Sequence, residues 1–143
     1  MRLLSVDPGE KRIGIAVTDE GGTIALPLEV IEHQSRHLDA IRIIHLAEEN
    51  HVERILIGCA LGTDGELSAS GRSAKKLAEE VERTGKIIVE LVDEYGTTNV
   101  VQQAALSMGL RREKRRSHRD ELAAVVILQQ YLETHGGDAI EES

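Results

Sequence analysis

Tryptophan and phenylalanine are absent, and Tyr95 and Tyr131 are the only aromatic residues in a chain of 143. This argues against an RNA-binding module that works by stacking bases on aromatic platforms, and the core has to be aliphatic. Cys59 is the single cysteine, so no disulfide within the chain can form, and a small buried hydrophobe is its expected role. The longest apolar run, Leu122 to Leu128, is far shorter than the ~20 residues a membrane-spanning helix needs. Met1-Arg2 leads straight into strand-like sequence without a signal segment, and with the lone thiol this favours the cytoplasm. No internal repeat or linker is apparent. The composition, 41% hydrophobic and 29% charged, belongs to a folded domain rather than a disordered or fibrous chain. Residues 1–135 are expected to form one domain, and 136–143 a flexible acidic tail after Gly136-Gly137.

The net charge of −8 hides a strong segregation. Residues 111–119 (RREKRRSHR) carry six positive charges and one negative, a surplus of five that leaves the rest of the chain at −13. Such a cluster suits a solvated loop, and it equally suits a contact with phosphates.

Leu3 to Val6 reads as a strand ended by Asp7-Pro8-Gly9, and the alternation of Ile13, Ile15 and Val17 gives a second strand. Thr23 to Ile31 gives a third, and the short connections make an antiparallel meander. Pro27 assigns the third strand to an edge, since proline cannot donate to a ladder. The pattern then switches. Leu38, Ile41, Ile44 and the weaker Glu48 position follow helical spacing from a Ser35 cap to Asn50, and Ile55 to Ile57 form a short buried strand. A helix through Leu67, Ala74, Leu77, Ala78 and Val81 stops at Gly85, and Ile87 to Val92 forms a fifth strand. Thr97 to Met108 is a third helix; after the basic loop comes a long one, about Arg119 to Thr134, apolar on most sides. The order βββαβαβαα predicts one α/β domain with a mixed five-stranded sheet, three antiparallel strands and then parallel ones, flanked by helices.

Ligands of open α/β sheets collect beyond the carboxyl ends of the strands. Asp7 and Asp93-Glu94 end strands that belong to the parallel part of the sheet, and Asp120 lies in the first turn of the last helix. Three carboxylates converging there repel one another unless a divalent cation lies between them, and an all-oxygen set suits Mg²⁺. Each acid also has a plainer role open to it. Asp7-Pro8-Gly9 fits a turn, Glu94 a solvated strand end, and Ser117-His118-Arg119-Asp120 a capping box. Their joint placement raises the functional reading. Gly9, Gly58, Gly62 and Gly65 fall at strand-to-loop junctions, where backbone amides approach phosphates, although plain turns explain them as well. Thr97-Thr98 caps the third helix and offers hydroxyls to a phosphate. The histidines have no zinc spacing; only His118, close to Asp120, is placed to assist proton transfer.

LLSVDPGEKRIGIAVTDE at 3–20, VDEYGTT at 92–98 and RDELAAVVILQQYLE at 119–133 together resemble the YqgF family, also called RuvX, in the order that family carries them. The resemblance implies a ribonuclease H-like fold and a nuclease that matures the precursor of 16S ribosomal RNA or resolves Holliday junctions. It implies Asp7, Glu94 and Asp120 as catalytic residues and ligands of Mg²⁺ or Mn²⁺, with Asp93 the less certain member of its acidic pair. Nucleic-acid contacts are expected from Lys11, Arg12, Thr97, Thr98, Arg111, Arg112, Lys114, Arg115 and Arg116. The chain departs from the family at Tyr95, where an Arg is usual, and at Gly58-Cys59-Ala60-Leu61-Gly62, so substrate choice and rate stay open. Resolving a symmetric junction requires two active sites and hence a homodimer, whereas trimming an end requires one. Two other readings compete: a catalytically inactive RNA- or protein-binding member of the fold, and an ATP-binding phosphotransferase, which needs two such domains where this chain supplies one.

Overall fold

The computed structural model describes residues 1–59, 69–93 and 122–133. Strands β1 (Leu3–Pro8), β2 (Arg12–Thr18) and β3 (Ala25–Glu32) come first; α1 (Arg36–Glu49), β4 (Arg54–Cys59), α2 (Ala69–Gly85) and β5 (Ile88–Asp93) follow. A last helix, α3, spans 122–133. The five strands make one sheet in the order β3-β2-β1-β4-β5, with β1 antiparallel to β2, β2 antiparallel to β3, and β1, β4 and β5 parallel. This is the mixed sheet expected from the sequence, and β3 is an edge strand as Pro27 requires. Leu28, the residue after Pro27, is passed over in the pairing, because Ile15 faces Glu29 while Ala16 faces Pro27.

Strand ends differ from the sequence expectation for identifiable reasons. Asp7 and Pro8 remain in β1, because they pair with Gly14 and Ile13 across the hairpin. The third strand starts at Ala25 rather than Thr23, since Asp19 Oδ1 accepts from the Thr23 and Ile24 amides and ties both to the turn. Gly58 lies inside β4 instead of beyond it. Gly9 is a true turn glycine: a Cβ there would meet the Arg12 carbonyl oxygen at 2.5 Å.

One side of the sheet is covered by α1 and α2. Leu4, Val6, Ile13, Ile15, Ile55 and Ile57 pack there against Ala40, Ile43, Leu46 and Ala47 of α1 and Ala74, Leu77, Ala78 and Val81 of α2. Cys59 is buried in the same cluster, as expected. The Ser35 side chain caps α1 by accepting from the Leu38 amide. The apolar stripe read from the α1 sequence is corrected: Leu38 and Ile41 are 50% and 44% exposed and Ile44 is half-buried. The inward face is Asp39, Ala40, Ile43, Leu46 and Ala47. Small side chains at 40 and 47 allow the helix axis close to the sheet, and Asp39 is tolerated inside because His33 and the Gln34 amide donate to it. Gly85 ends α2 as expected, but the left-handed residue is Lys86 (φ 52°). Glycine is needed at 85 because a Cβ would come within 2.9 Å of the Ile44 side chain.

The other side of the sheet carries α3. Ala124, Leu128 and Tyr131 pack on Leu3, Ala16, Ala25 and Leu56. No helix among the described residues is long and apolar enough to cross a membrane.

Candidate active site at the carboxyl edge of the sheet

The parallel register runs Leu4–Ile55–Val89, Val6–Ile57–Leu91 and, beyond them, Gly58–Val92 and Cys59–Asp93. The carboxyl ends of β1, β4 and β5 therefore finish side by side. Asp7 is half-buried at that edge, one residue beyond Val6, and Asp93 closes β5 at the same edge. Leu4 and Val6 face α1 and α2, while Leu3 and Ser5 face α3, so strand alternation turns Asp7 to the α3 side. Lys11, on the β1–β2 connection, and Arg12, the first residue of β2, are exposed just past Asp7. Antiparallel pairing of Arg12 with Glu32 brings the end of β3 to this edge too, and the Lys11 carbonyl accepts from the His33 amide at 2.9 Å.

The position of α3 is set by polar contacts that the sequence did not reveal. Ser5 Oγ, fully buried, donates to the Ala124 carbonyl at 2.6 Å. Toward the other end of the helix, Arg54 Nη1 donates to the Tyr131 hydroxyl at 3.0 Å, and that hydroxyl donates to Glu90 Oε2 at 3.0 Å. Burial in this seam raises the Tyr131 pKa above its ordinary 10.0; Arg54 opposes the shift and Glu90 adds to it. Ser5 lies in the middle of β1 and Arg54 at the start of β4, so α3 runs antiparallel to these strands with its 122 end toward the carboxyl edge. A serine inside the apolar run Leu3-Leu4-Ser5-Val6 was the available signal, but its partner is 119 residues away.

Of the sequence-derived site residues, Asp7, Lys11, Arg12 and Asp93 are brought to one edge. Glu94, Tyr95, Thr97, Thr98, Arg111, Arg112, Lys114, Arg115, Arg116, His118 and Asp120 lie outside the described residues, as do Gly62, Gly65 and the Thr97 to Met108 helix. Among the described residues no three His, Cys, Asp or Glu side chains converge as a metal site. His33 Nδ1 bonds to Asp39 and His37 Nδ1 to Glu80.

Comparison with known proteins follows the same lines. The chain is 36% identical over 132 residues to a protein of Desulforudis audaxviator named "Putative pre-16S rRNA nuclease", covering 92% of this chain and 94% of the relative. A relative of the same name from Thermoanaerobacter pseudethanolicus is 35% identical over 135 residues, covering 94% and 97%. Among solved structures, Thermus thermophilus RuvC in complex with Holliday junction substrate matches with a TM-score of 0.59 at 16% identity, covering 95% of this chain and 96% of that one. Fowlpox virus resolvase with Holliday junction DNA matches at 0.54 and 9% identity, covering 94% and 98%. These likenesses show the ribonuclease H-like fold. The RuvX family, described as Holliday junction resolvase, matches residues 1–134, and the chain belongs to that family.

Proposed function

We propose that this chain is a divalent-metal-dependent nuclease that hydrolyses phosphodiester bonds of structured nucleic acid at the carboxyl edge of its sheet, with Asp7, Glu94 and Asp120 as the acidic triad. The observation that carries this reading is the Ser5–Ala124 bond. From Ser5 to Asp7 is two strand residues, about 6.7 Å toward the carboxyl edge. Asp120 precedes Ala124 by four residues in the sequence, the spacing of neighbours on one helix face. Glu94 shares parity with Glu90, which bonds Tyr131, and with Val92, which packs on the α3 cluster. Adjacent strand residues face opposite ways, so one member of the Asp93-Glu94 pair reaches the metal, and Glu94 is taken as the working acid.

The donor set fits the group. Three carboxylates offer only hard oxygens, the choice of Mg²⁺ or Mn²⁺ over zinc, and nucleases of this family and fold generally use divalent metals. When bound, such an ion supplies Lewis-acid activation of water and neutralises charge on the leaving oxygen. The chain's own contribution is positional. Lys11 and Arg12, exposed beside Asp7, together with Arg111, Arg112, Lys114, Arg115, Arg116, Thr97 and Thr98, hold phosphates through contacts that fix register without reading sequence. Tyr95 replaces a guanidinium with a ring able to stack on a base, and His118 is suited to move a proton at the leaving oxygen.

The full-length likeness to proteins named for pre-16S rRNA makes the 5′ end of the 16S rRNA precursor the leading substrate. The family description favours the four-way DNA junction as the second, and that activity needs a homodimer. Purified protein assayed side by side on both substrates with Mg²⁺, with its mass in solution measured alongside, separates the two. Asp7→Asn is expected to lower cleavage of the preferred substrate about 10²- to 10³-fold. Undiminished cleavage would end the proposal.

A further inference from the structure

We infer that the first half of α2 is a further phosphate-contact surface, in which Arg72, Lys75 and Lys76 grip the backbone of nucleic acid lying across the carboxyl edge. This rests on the nucleic-acid substrate proposed above. α2 leaves the carboxyl end of β4 and returns to the start of β5, so its Ala69 end points toward the acidic edge and its Gly85 end away from it. Two contacts fix its height. His37, in the first turn of α1, bonds Glu80, and Ile44 lies against Gly85. That first turn follows directly on the end of β3, which closes at this same edge beside Lys11 and Arg12. Arg72, Lys75 and Lys76 precede Glu80 by eight, five and four residues, about 6–12 Å of further helical rise in the direction of the carboxyl edge.

The charges of α2 are sorted along its length. From Ala69 to Ala78 they are Arg72, Lys75 and Lys76, all exposed, with no acid among them. From Glu79 to Gly85 they are Glu79, Glu80, Glu82 and Arg83. This order opposes the helix dipole, which favours acids near the start and bases near the end. It also sets Arg72 three and four positions from two like charges, an arrangement that repels. Neither Lys75 nor Lys76 has an ion-pair partner among the described residues, whereas Glu80 is held by His37 and Arg83. Helix stability gives no reason for such sorting; a polyanion at the edge does. The contact lies with these side chains, not with the terminal amides of the helix. α2 packs on β4 and β5, while Lys11 and Arg12 lie at the start of β2, so the two sets of cations stand to either side of β1 and its Asp7. A backbone crossing the edge at Asp7 then meets positive charge on both flanks, which gives affinity without reading sequence.

The test reads binding by fluorescence anisotropy over a salt series, without divalent metal, on two labelled probes: a four-way DNA junction and an RNA stem carrying the 5′ end of the 16S rRNA precursor. It compares the full chain with Lys75→Gln/Lys76→Gln and with Arg83→Gln/Lys86→Gln, and melting temperatures are recorded for each. Both pairs change exposed residues, one toward each end of the same helix, and each removes two positive charges, so position is what differs between them. Glutamine matches lysine and arginine in helix propensity, and both variants should fold. The expected result is that Lys75→Gln/Lys76→Gln lowers the slope of log Kd against log salt by about 1.4–1.8 and weakens binding about tenfold or more at 0.1 M salt. Arg83→Gln/Lys86→Gln should keep the wild-type slope, with Kd within about twofold. A response on the junction, on the RNA or on both identifies which backbone the surface takes. If wild type binds and Lys75→Gln/Lys76→Gln binds equally well, the α2 surface is wrong and the nucleic-acid reading stands. Equal weakening by the two pairs would reveal general repulsion of a polyanion and would also overturn the inference. Failure of wild type to bind either probe would remove the nucleic-acid reading itself, and this surface with it.

Discussion

The two faces of the sheet are built on different principles. Toward α1 and α2 the contact is mainly aliphatic, from Leu4, Val6, Ile13, Ile15, Ile55 and Ile57 on the strands to Ile43, Leu46, Leu77 and Val81 on the helices, with Cys59 in the same cluster and Asp39 buried on α1. Toward α3 the aliphatic contact is thinner, and buried or half-buried polar groups interrupt it: Ser5 on Ala124, Arg54 on Tyr131 and Tyr131 on Glu90. Thr18 adds a buried hydroxyl that accepts from the Leu3 amide at 2.9 Å. Apolar burial is strong but non-directional, whereas a hydrogen bond is weak in net energy and specific in geometry. The first face supplies the stability of the sheet. The second holds α3 through directional contacts as well as apolar ones.

The comparison breaks most visibly if the aliphatic face proves cheap to damage. Ile57 is fully buried in β4, and Ile57→Ala is expected to cost about 2–5 kcal/mol, read as a large fall in the urea midpoint. Under conditions where that variant stays folded, its affinity for Mn²⁺ should match wild type. A loss of affinity approaching that of Asp7→Asn would mean that the aliphatic face sets the site as well, and the division of labour would fail.

The polar face makes a smaller prediction with a distinctive pH signature. Tyr131→Phe removes the hydroxyl shared by Arg54 and Glu90 and is expected to cost about 1 kcal/mol at neutral pH. Because burial raises the Tyr131 pKa above 10.0, the unfolded chain releases this proton before the folded one does. The contribution is therefore whole below pH 10 and drains away as the pH climbs from there through the higher folded value. Urea midpoints of wild type and Tyr131→Phe should converge in that alkaline window. A constant gap across it would show that the hydroxyl is not held in a low-dielectric seam.

What the sequence made legible follows the same division. Element order, the edge position of β3 from Pro27, the Ser35 cap and the inward face of α2 are local patterns, and each was readable from a few neighbouring residues. The inward face of α1 was not, because hydropathy ranks Leu38 and Ile41 above Ala40 and Ala47, while close approach to a sheet selects the small side chains. Asp39 resembles a surface acid until His33 and the Gln34 amide are brought against it from across the β3–α1 junction. At the candidate site, Asp7 was legible because strand ends are local. The Ser5 contact under α3 was not, since its partner lies 119 residues later in the chain.

Outside both faces lies a third arrangement that sharpens the rule by being nearly the same chemistry in water. Asp19, in the exposed turn between β2 and β3, accepts from the Thr23 amide at 2.9 Å and the Ile24 amide at 3.2 Å. The Thr23 amide first and the Ile24 amide second hold its carboxyl below the ordinary 3.8. The charged form is favoured in the folded state, so the stabilisation is complete above pH 3.8 and is lost as the pH falls through the lower folded value. Asp19→Asn keeps an oxygen acceptor and removes the charge, so its urea midpoint should fall slightly short of wild type at neutral pH and meet it in acid. Glu80, lowered by its bond from His37 and then by Arg83, titrates on the same arm in both proteins and cancels in the difference. This is the smallest effect expected, because solvent competes for every bond in the turn. If the Asp19 gap equalled that of Tyr131→Phe, exclusion of water would not be what gives the bonds under α3 their weight.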